Sequence, residues 1–158
     1  LLARLSAFAR DLYHCADCNY CVDATWVERG IAHVCSTIEH HRPVPSYSGR
    51  GYLAAARALL EGEALAPDAL AERVFSCTGC ANCERLCPLG LRPAQVAHAL
   101  REDLVERGHA PPAVEALRGT MRACGNPYGK PPATRGEWAR GIDFANGDAT
   151  VLYAPGCA

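Results

Sequence analysis

The chain has 158 residues, 49% of them hydrophobic and 21% charged, with a formal net charge of −1. That length allows about one domain, and the balance of apolar to charged residues excludes a disordered class. A near-neutral chain without a basic block gives no footing for nucleic acid, and no apolar run approaches the ~20 residues of a membrane-spanning helix.

Leu1, Leu2, Leu5, Phe8, Ala9 and Leu12 recur at helical spacing and predict an opening helix that leads into Cys15. The same stretch is too short for a secretory signal. A start at leucine instead of methionine reads as a piece of something longer. Leu53, Ala56, Leu59 and Leu60 predict a second helix, stopped near Gly62. Asp68 is placed to cap a third, with Leu70 and Val74 on one face, that delivers the chain to Cys77. Pro93 suits the first turn of a fourth, with Val96, Leu100 and Leu104 inward and Gly108 as its stop. Pro112 opens a fifth through Val114, Leu117 and Met121, and all of these apolar stripes read as core. The stretch 125–132 is rich in glycine and proline and reads as a linker. Thr150 to Tyr153 has strand character, with a tight turn at Gly156-Cys157.

The most specific signal is Cys77-Thr-Gly-Cys80-Ala-Asn-Cys83-Glu-Arg-Leu-Cys87-Pro88. Its spacing, C-x2-C-x2-C-x3-C-P, is the bacterial pattern for iron–sulfur clusters, in which the cysteine before proline ligates the other cluster of a pair. It therefore calls for a partner motif, and Cys15, Cys18 and Cys21 supply one, followed at a distance by Cys35. With ligands interleaved, one 4Fe–4S cluster takes Cys15, Cys18, Cys21 and Cys87, and the other takes Cys77, Cys80, Cys83 and Cys35. Such interleaving staples distant parts of the chain, so metal binding contributes to folding.

Other uses of cysteine fit less well. Zinc prefers two separated pairs around one tetrahedral ion, and a tight triplet crowds it. Disulfide scaffolds spread their cysteines to join distant segments, whereas most of the ten here lie within single turns. The first motif departs from the full pattern. Position 25, where its fourth cysteine belongs, is Thr25, followed by Trp26. Cys35 can return through a longer loop at little entropic cost. The alternatives are a three-cysteine site holding a 3Fe–4S cluster, or His33 as a ligand. Cys124, far from either triplet, reads as a buried free thiol. Tyr13, Tyr20, Trp26 and Phe75 are expected to shield the clusters from water, which is one lever on potential.

Beyond the cysteines, the segment Ser48-Gly-Arg-Gly-Tyr-Leu53 to Glu63 comes first. Then follow Gly125-Asn-Pro-Tyr-Gly129, Pro131-Pro132, Arg135 and Trp138, and finally Val-Leu-Tyr-Ala-Pro-Gly-Cys157. In this order the chain resembles the amino-terminal half of the heterodisulfide-reductase D-like iron–sulfur oxidoreductases. These are similar in turn to glycolate oxidase iron–sulfur subunits and to the anaerobic glycerol-3-phosphate dehydrogenase small subunit. The resemblance implies that Cys157 is the first cysteine of a cysteine-rich, Cys-Cys-Gly (CCG-type) domain whose remainder lies beyond this chain. It also implies electron delivery here, with substrate chemistry elsewhere.

The expected fold is thus mainly α. A helical two-cluster ferredoxin-like domain spans 1–110, a helix and Pro/Gly-rich linker 111–148, and the first strand of a truncated α/β cysteine-rich domain 149–158. The expected function is the relay of single electrons through two 4Fe–4S clusters, with no bond-making catalysis of its own. The expected partners are other redox subunits, namely a flavoprotein, a quinone-linked or disulfide-reducing site, or a CCG-domain catalytic part. A cytoplasmic setting suits free thiolates, with membrane association only through a partner. The alternatives are a self-contained ferredoxin-type carrier and a structural zinc-binding module.

Overall fold

The computed structural model describes residues 2–23, 27–40, 44–143, 150, 151, 154 and 156. Its backbone divides into two units, residues 1–111 and 112–158.

The first unit is helical. In chain order it contains α1 (Leu2–Ser6), α2 (Ala9–Tyr13), α3 (Ser36–His40), α4 (Gly49–Leu60), α5 (Pro67–Phe75), α6 (Asn82–Arg85) and α7 (Pro93–Glu106). Helices α4 and α7 pack on each other and form its centre, α5 lies against α7, and α1 and α2 lie against α4. The sequence periodicity explains the arrangement. Tyr52, Leu53 and Ala56 of α4 meet Leu70, Ala71 and Val74 of α5 and Val96, Leu100 and Leu104 of α7 in one buried cluster. Each large apolar side chain removed from water there contributes about 1.5–3 kcal/mol.

Three local details differ from the sequence reading. The opening helix breaks at Ala7-Phe8 into α1 and α2, although Leu5 and Leu12 both remain buried. The break sets the Phe8 ring 4.8 Å from the Arg92 guanidinium. Helix α5 starts at Pro67 with Ala66 in the capping position, so Asp68 sits inside the first turn, where its charge complements the helix dipole. The isolated antiparallel bridge between Asp23 and His33, in the loop between the first cysteine triplet and Cys35, was not expected at all.

One buried polar tie organises the unit. Asp11 is fully buried on α2 and accepts hydrogen bonds from the Arg92 backbone N–H at 2.7 Å and from its Nη2 at 2.7 Å. Burial alone raises the Asp11 pKa. The bonds and charge of Arg92 outweigh it and hold the carboxyl below its usual range. This pair fixes the segment before Cys15 to the loop that follows Cys87.

The second unit holds α8 (Pro112–Cys124) and two short 3-10 turns, Pro132–Thr134 and Glu137–Ala139. Pro112 opens α8 as expected, but none of its residues is buried, and Leu117 and Met121 are exposed. Its apolar stripe is therefore not core. The Gly/Pro-rich stretch after it is knitted by one side chain. Buried Asn126 donates to the carbonyls of Cys124 and Lys130 and accepts from the N–H groups of Tyr128 and Lys130. The strand expected over Thr150–Tyr153 is not formed where it can be seen. Thr150 is a bend and Val151 is irregular and exposed, while Leu152, Tyr153 and Cys157 lie outside the described residues. A strand needs a neighbour for its backbone N–H and C=O groups, and among the described residues no strand is formed.

Candidate metal centres

The two cysteine triplets fold alike. In each, the third and fifth residues of the C-x2-C-x2-C run are left-handed: Asp17 and Asn19 (φ +51° and +64°), and Gly79 and Ala81 (φ +72° and +58°). In the second, the Gly79 backbone N–H bonds the Cys77 sulfur at 3.4 Å; in the first, the Cys15 thiol points to the Asp17 carboxylate at 3.8 Å. Two left-handed residues per loop wind the chain around a point, which brings three thiols to one side. Asp and Asn tolerate this conformation and Gly adopts it freely, whereas Ala81 is held there at a cost of about 1 kcal/mol.

The winding leaves two hollows. The first is lined by Cys15, Cys18, Cys21 and Cys87, with Arg50 and Leu89 in its wall. The second is lined by Cys35, Cys77, Cys80 and Cys83, with Gly49 and Tyr52 in its wall. The fourth cysteine of each set thus comes from outside its triplet. Cys87 crosses to the first triplet. Cys35, just before α3, stands with the second and directs its thiol toward the Tyr47 carbonyl at 3.6 Å.

Helices α4 and α7 both aim their N-termini between the hollows. Gly49 of α4 and Ala94 of α7 line the second, while Arg50 and Pro93 line the first. The Arg50 backbone N–H opposes the rise that burial imposes on the Cys21 thiol. Helix N-termini carry a partial positive charge and free N–H groups, which favour an anionic occupant. The approach is close. A Cβ added at Gly49 would lie 2.8 Å from the Cys83 Cβ and 3.0 Å from the Pro93 Cβ. Only a glycine lets α4 sit there.

Burial shapes the thiols. It pushes Cys21 up to about 11 and Cys83 up to about 12, and it raises Cys15 as well. Such thiols keep their protons at neutral pH, so binding a metal must release them. The donor set fits a cluster better than a single ion. Four thiolates on one zinc stand roughly 3.8 Å apart. Among the described residues no three His, Cys, Asp or Glu side chains are arranged to hold a metal ion. A four-iron cluster takes four thiolates, and four cysteines line each hollow.

The family model of the 4Fe-4S dicluster domain matches residues 11–91, just over half of the chain. The chain belongs to that family. No curated protein and no solved structure matches it. As a 4Fe-4S dicluster domain it has an iron–sulfur electron-transfer role, and the matched span covers both triplets, Cys35 and Cys87. No helix among the described residues is long and apolar enough to cross a membrane.

The remaining sequence candidates fall elsewhere. His33 lines neither hollow, and its Nδ1 lies 3.5 Å from the Asp23 carboxylate. Cys124 also lines neither and is partly buried in the second unit. All nine cysteines among the described residues are free thiols. Of the aromatics expected to shield the sites, Tyr20 lines the first hollow but is half-exposed. Tyr13 is exposed too, Phe75 packs against the core under Arg101, and Trp26 lies outside the described residues.

Sequence reasoning missed Tyr52 and the roles of Gly49 and Arg50. Tyr52 is buried, walls the second hollow and donates its hydroxyl to the Tyr47 carbonyl at 2.9 Å. A signal did exist. Two glycines, Gly49 and Gly51, stand in the first turn of an otherwise good helix, where they weaken it and so mark a close approach.

Proposed function

We propose that this domain carries two 4Fe–4S clusters with exchanged fourth ligands and relays single electrons between redox partners. Cys15, Cys18, Cys21 and Cys87 would hold one cluster, and Cys77, Cys80, Cys83 and Cys35 the other. The supporting observation is the crossing of Cys87 into the hollow of the first triplet, with Cys35 completing the second. Each cluster, when bound, accepts and gives up one electron. The chain's own residues then hold it by thiolates, face it with helix N-termini and restrict water. Tyr52 and Leu53 close the walls from the core side.

Both hollows include one exposed cysteine, Cys18 in the first and Cys80 in the second. Electron transfer needs such access, because a partner's cofactor has to come near. The partners are other redox subunits, a flavoprotein on one side and a CCG-type, disulfide-reducing or quinone-linked catalytic part on the other. The oxidoreductase setting is that of heterodisulfide-reductase-like or glycolate-oxidase-like complexes, with Cys157 serving the cysteine-rich domain. The support for this wider setting is the resemblance of the stretches around Ser48, Asn126 and Cys157.

The decisive variant is Cys87→Ser. Anaerobically loaded wild type should carry about eight irons and eight sulfides per chain. Cys87→Ser should disturb the cluster of Cys15, Cys18 and Cys21, seen as the loss or alteration of one of two electron paramagnetic resonance signals. The signal that disappears in Cys18→Ala should be the same one. Damage confined to the signal lost in Cys80→Ala would reject the exchange, and zinc without sulfide would reject the reading altogether.

A further inference from the structure

We propose that Arg50 positions the Cys15–Cys21 loop and supplies the charge that raises the reduction potential of the cluster at the first hollow. The proposal rests on the ligand reading above and adds a residue that reading does not use.

Arg50 is the second residue of α4, and its side chain turns back onto the loop. Its Nε lies 3.1 Å from Asp17 Oδ1 and its Nη1 lies 2.7 Å from Asn19 Oδ1. Asp17 and Asn19 are the two left-handed residues of that loop. One guanidinium therefore grips both unusual positions. The rigid fork of arginine suits this double grip, which a lysine cannot reproduce.

At the second loop an arginine holds only the backbone: Arg101 donates to the Cys77 carbonyl. That loop's left-handed positions are Gly79 and Ala81, whose side chains offer nothing to hold. The two sites also differ in charge. The described wall of the second hollow contains no charged side chain, whereas the first contains Arg50 and Asp17. Arg50 is two-thirds buried, so water screens it only in part. Reduction adds negative charge to a cluster, and a nearby cation stabilises the reduced form. Loss of Arg50 removes that cation and also leaves the Asp17 carboxylate uncompensated beside the site. Both effects lower the potential, and both act on the first site alone.

The test uses the anaerobically loaded full chain with Arg50→Gln and Arg50→Lys. Iron and sulfide are counted, and a redox titration follows both resonance signals, the first-site signal being the one that Cys87→Ser disturbs. Arg50→Gln should move that signal to lower potential, or lose that cluster's iron, and leave the other signal in place. Arg50→Lys, which keeps the charge without the fork, should recover most of the shift in the clusters that load. Unchanged potentials and iron in Arg50→Gln overturn the proposal. So does an equal shift of both signals, or an Arg50→Lys variant shifted as far as Arg50→Gln. If Arg50→Gln does not fold, Asp17→Asn decides: leaving the Arg50 charge without its paired carboxylate should raise the potential of the first-site signal alone, and an unmoved signal or an equal shift of both overturns the proposal. Wild type without iron and sulfide would instead fail the ligand reading itself, so the two failures are distinct.

Discussion

Replacing Gly49 with alanine should damage the second site selectively, and the geometry sets the size of the effect. The new methyl group would lie 2.8 Å from the Cys83 Cβ and 3.0 and 3.2 Å from the Pro93 Cβ and Cγ. Carbon atoms rest about 3.5–4.0 Å apart, so the first turn of α4 has to withdraw from Cys83 by roughly 0.7–1 Å. Pro93 is a rigid ring at the start of α7 and cannot swing aside. Overpacking of this kind costs about 1–3 kcal/mol. Alanine returns at most about 1 kcal/mol of helix propensity. The net loss is about 1–2 kcal/mol, which a urea titration under anaerobic conditions resolves. The functional loss should be larger, because a ligand has to be held within about 0.5 Å of its working position. Loaded Gly49→Ala should retain about four of eight irons, with the signal dependent on Cys87 intact. Gly62→Ala is the control. No atom lies within 4 Å of an added Cβ there, but φ is +89°. It should cost about 1 kcal/mol of backbone strain and no iron. Wild-type iron and stability in Gly49→Ala, or equal iron loss in Gly62→Ala, would refute the steric reasoning.

Further outcomes follow from single contacts. Cys35→Ala should remove about one iron from the second site or give a three-iron signature there, and an unchanged iron count would exclude Cys35 as a ligand. The Asp11 carboxyl is held below its usual range, so its stabilisation is present above the ordinary carboxylate value of about 3.9 and is lost as pH falls through the lower folded value. The difference in urea midpoint between wild type and Asp11→Asn should therefore be full at neutral pH and shrink below about pH 4; a pH-independent difference would show that charge is not what Asp11 contributes. Asn126→Ala removes a side chain that makes four hydrogen bonds to the turn after α8. At about 1 kcal/mol each, the turn should lose roughly 2–4 kcal/mol of local stability. Hydrogen exchange at the Tyr128 and Lys130 amides should quicken by two orders of magnitude or so, while iron content stays at the wild-type level.

The cluster chemistry and the main helices were legible in local stretches of the chain. Cysteine spacing within one or two turns is a local property, so Cys77 to Cys87 and Cys15 to Cys21 were legible as thiolate sets without any knowledge of packing. The periodic stripes of α4, α5 and α7 were legible for the same reason, since each helix faces its core with residues three and four apart. Stripes alone do not say what covers them, and for that reason α8 looked like core and is exposed. The departure at Thr25 could not be resolved from spacing, because Cys35 reaches the second hollow through a loop whose course no local rule describes. The motif rule called for Cys87 at the first triplet, with Cys35 left for the second, and the packed chain brings each to the hollow of that triplet. Only the tertiary structure set Gly49 against Cys83 and turned the Arg50 guanidinium onto Asp17 and Asn19. These are meetings of residues 31 to 72 positions apart in the chain. They depend on how α4 and α7 cross and on the buried Asp11–Arg92 tie, and such long-range geometry is a property of the packed core, which no short stretch of sequence encodes.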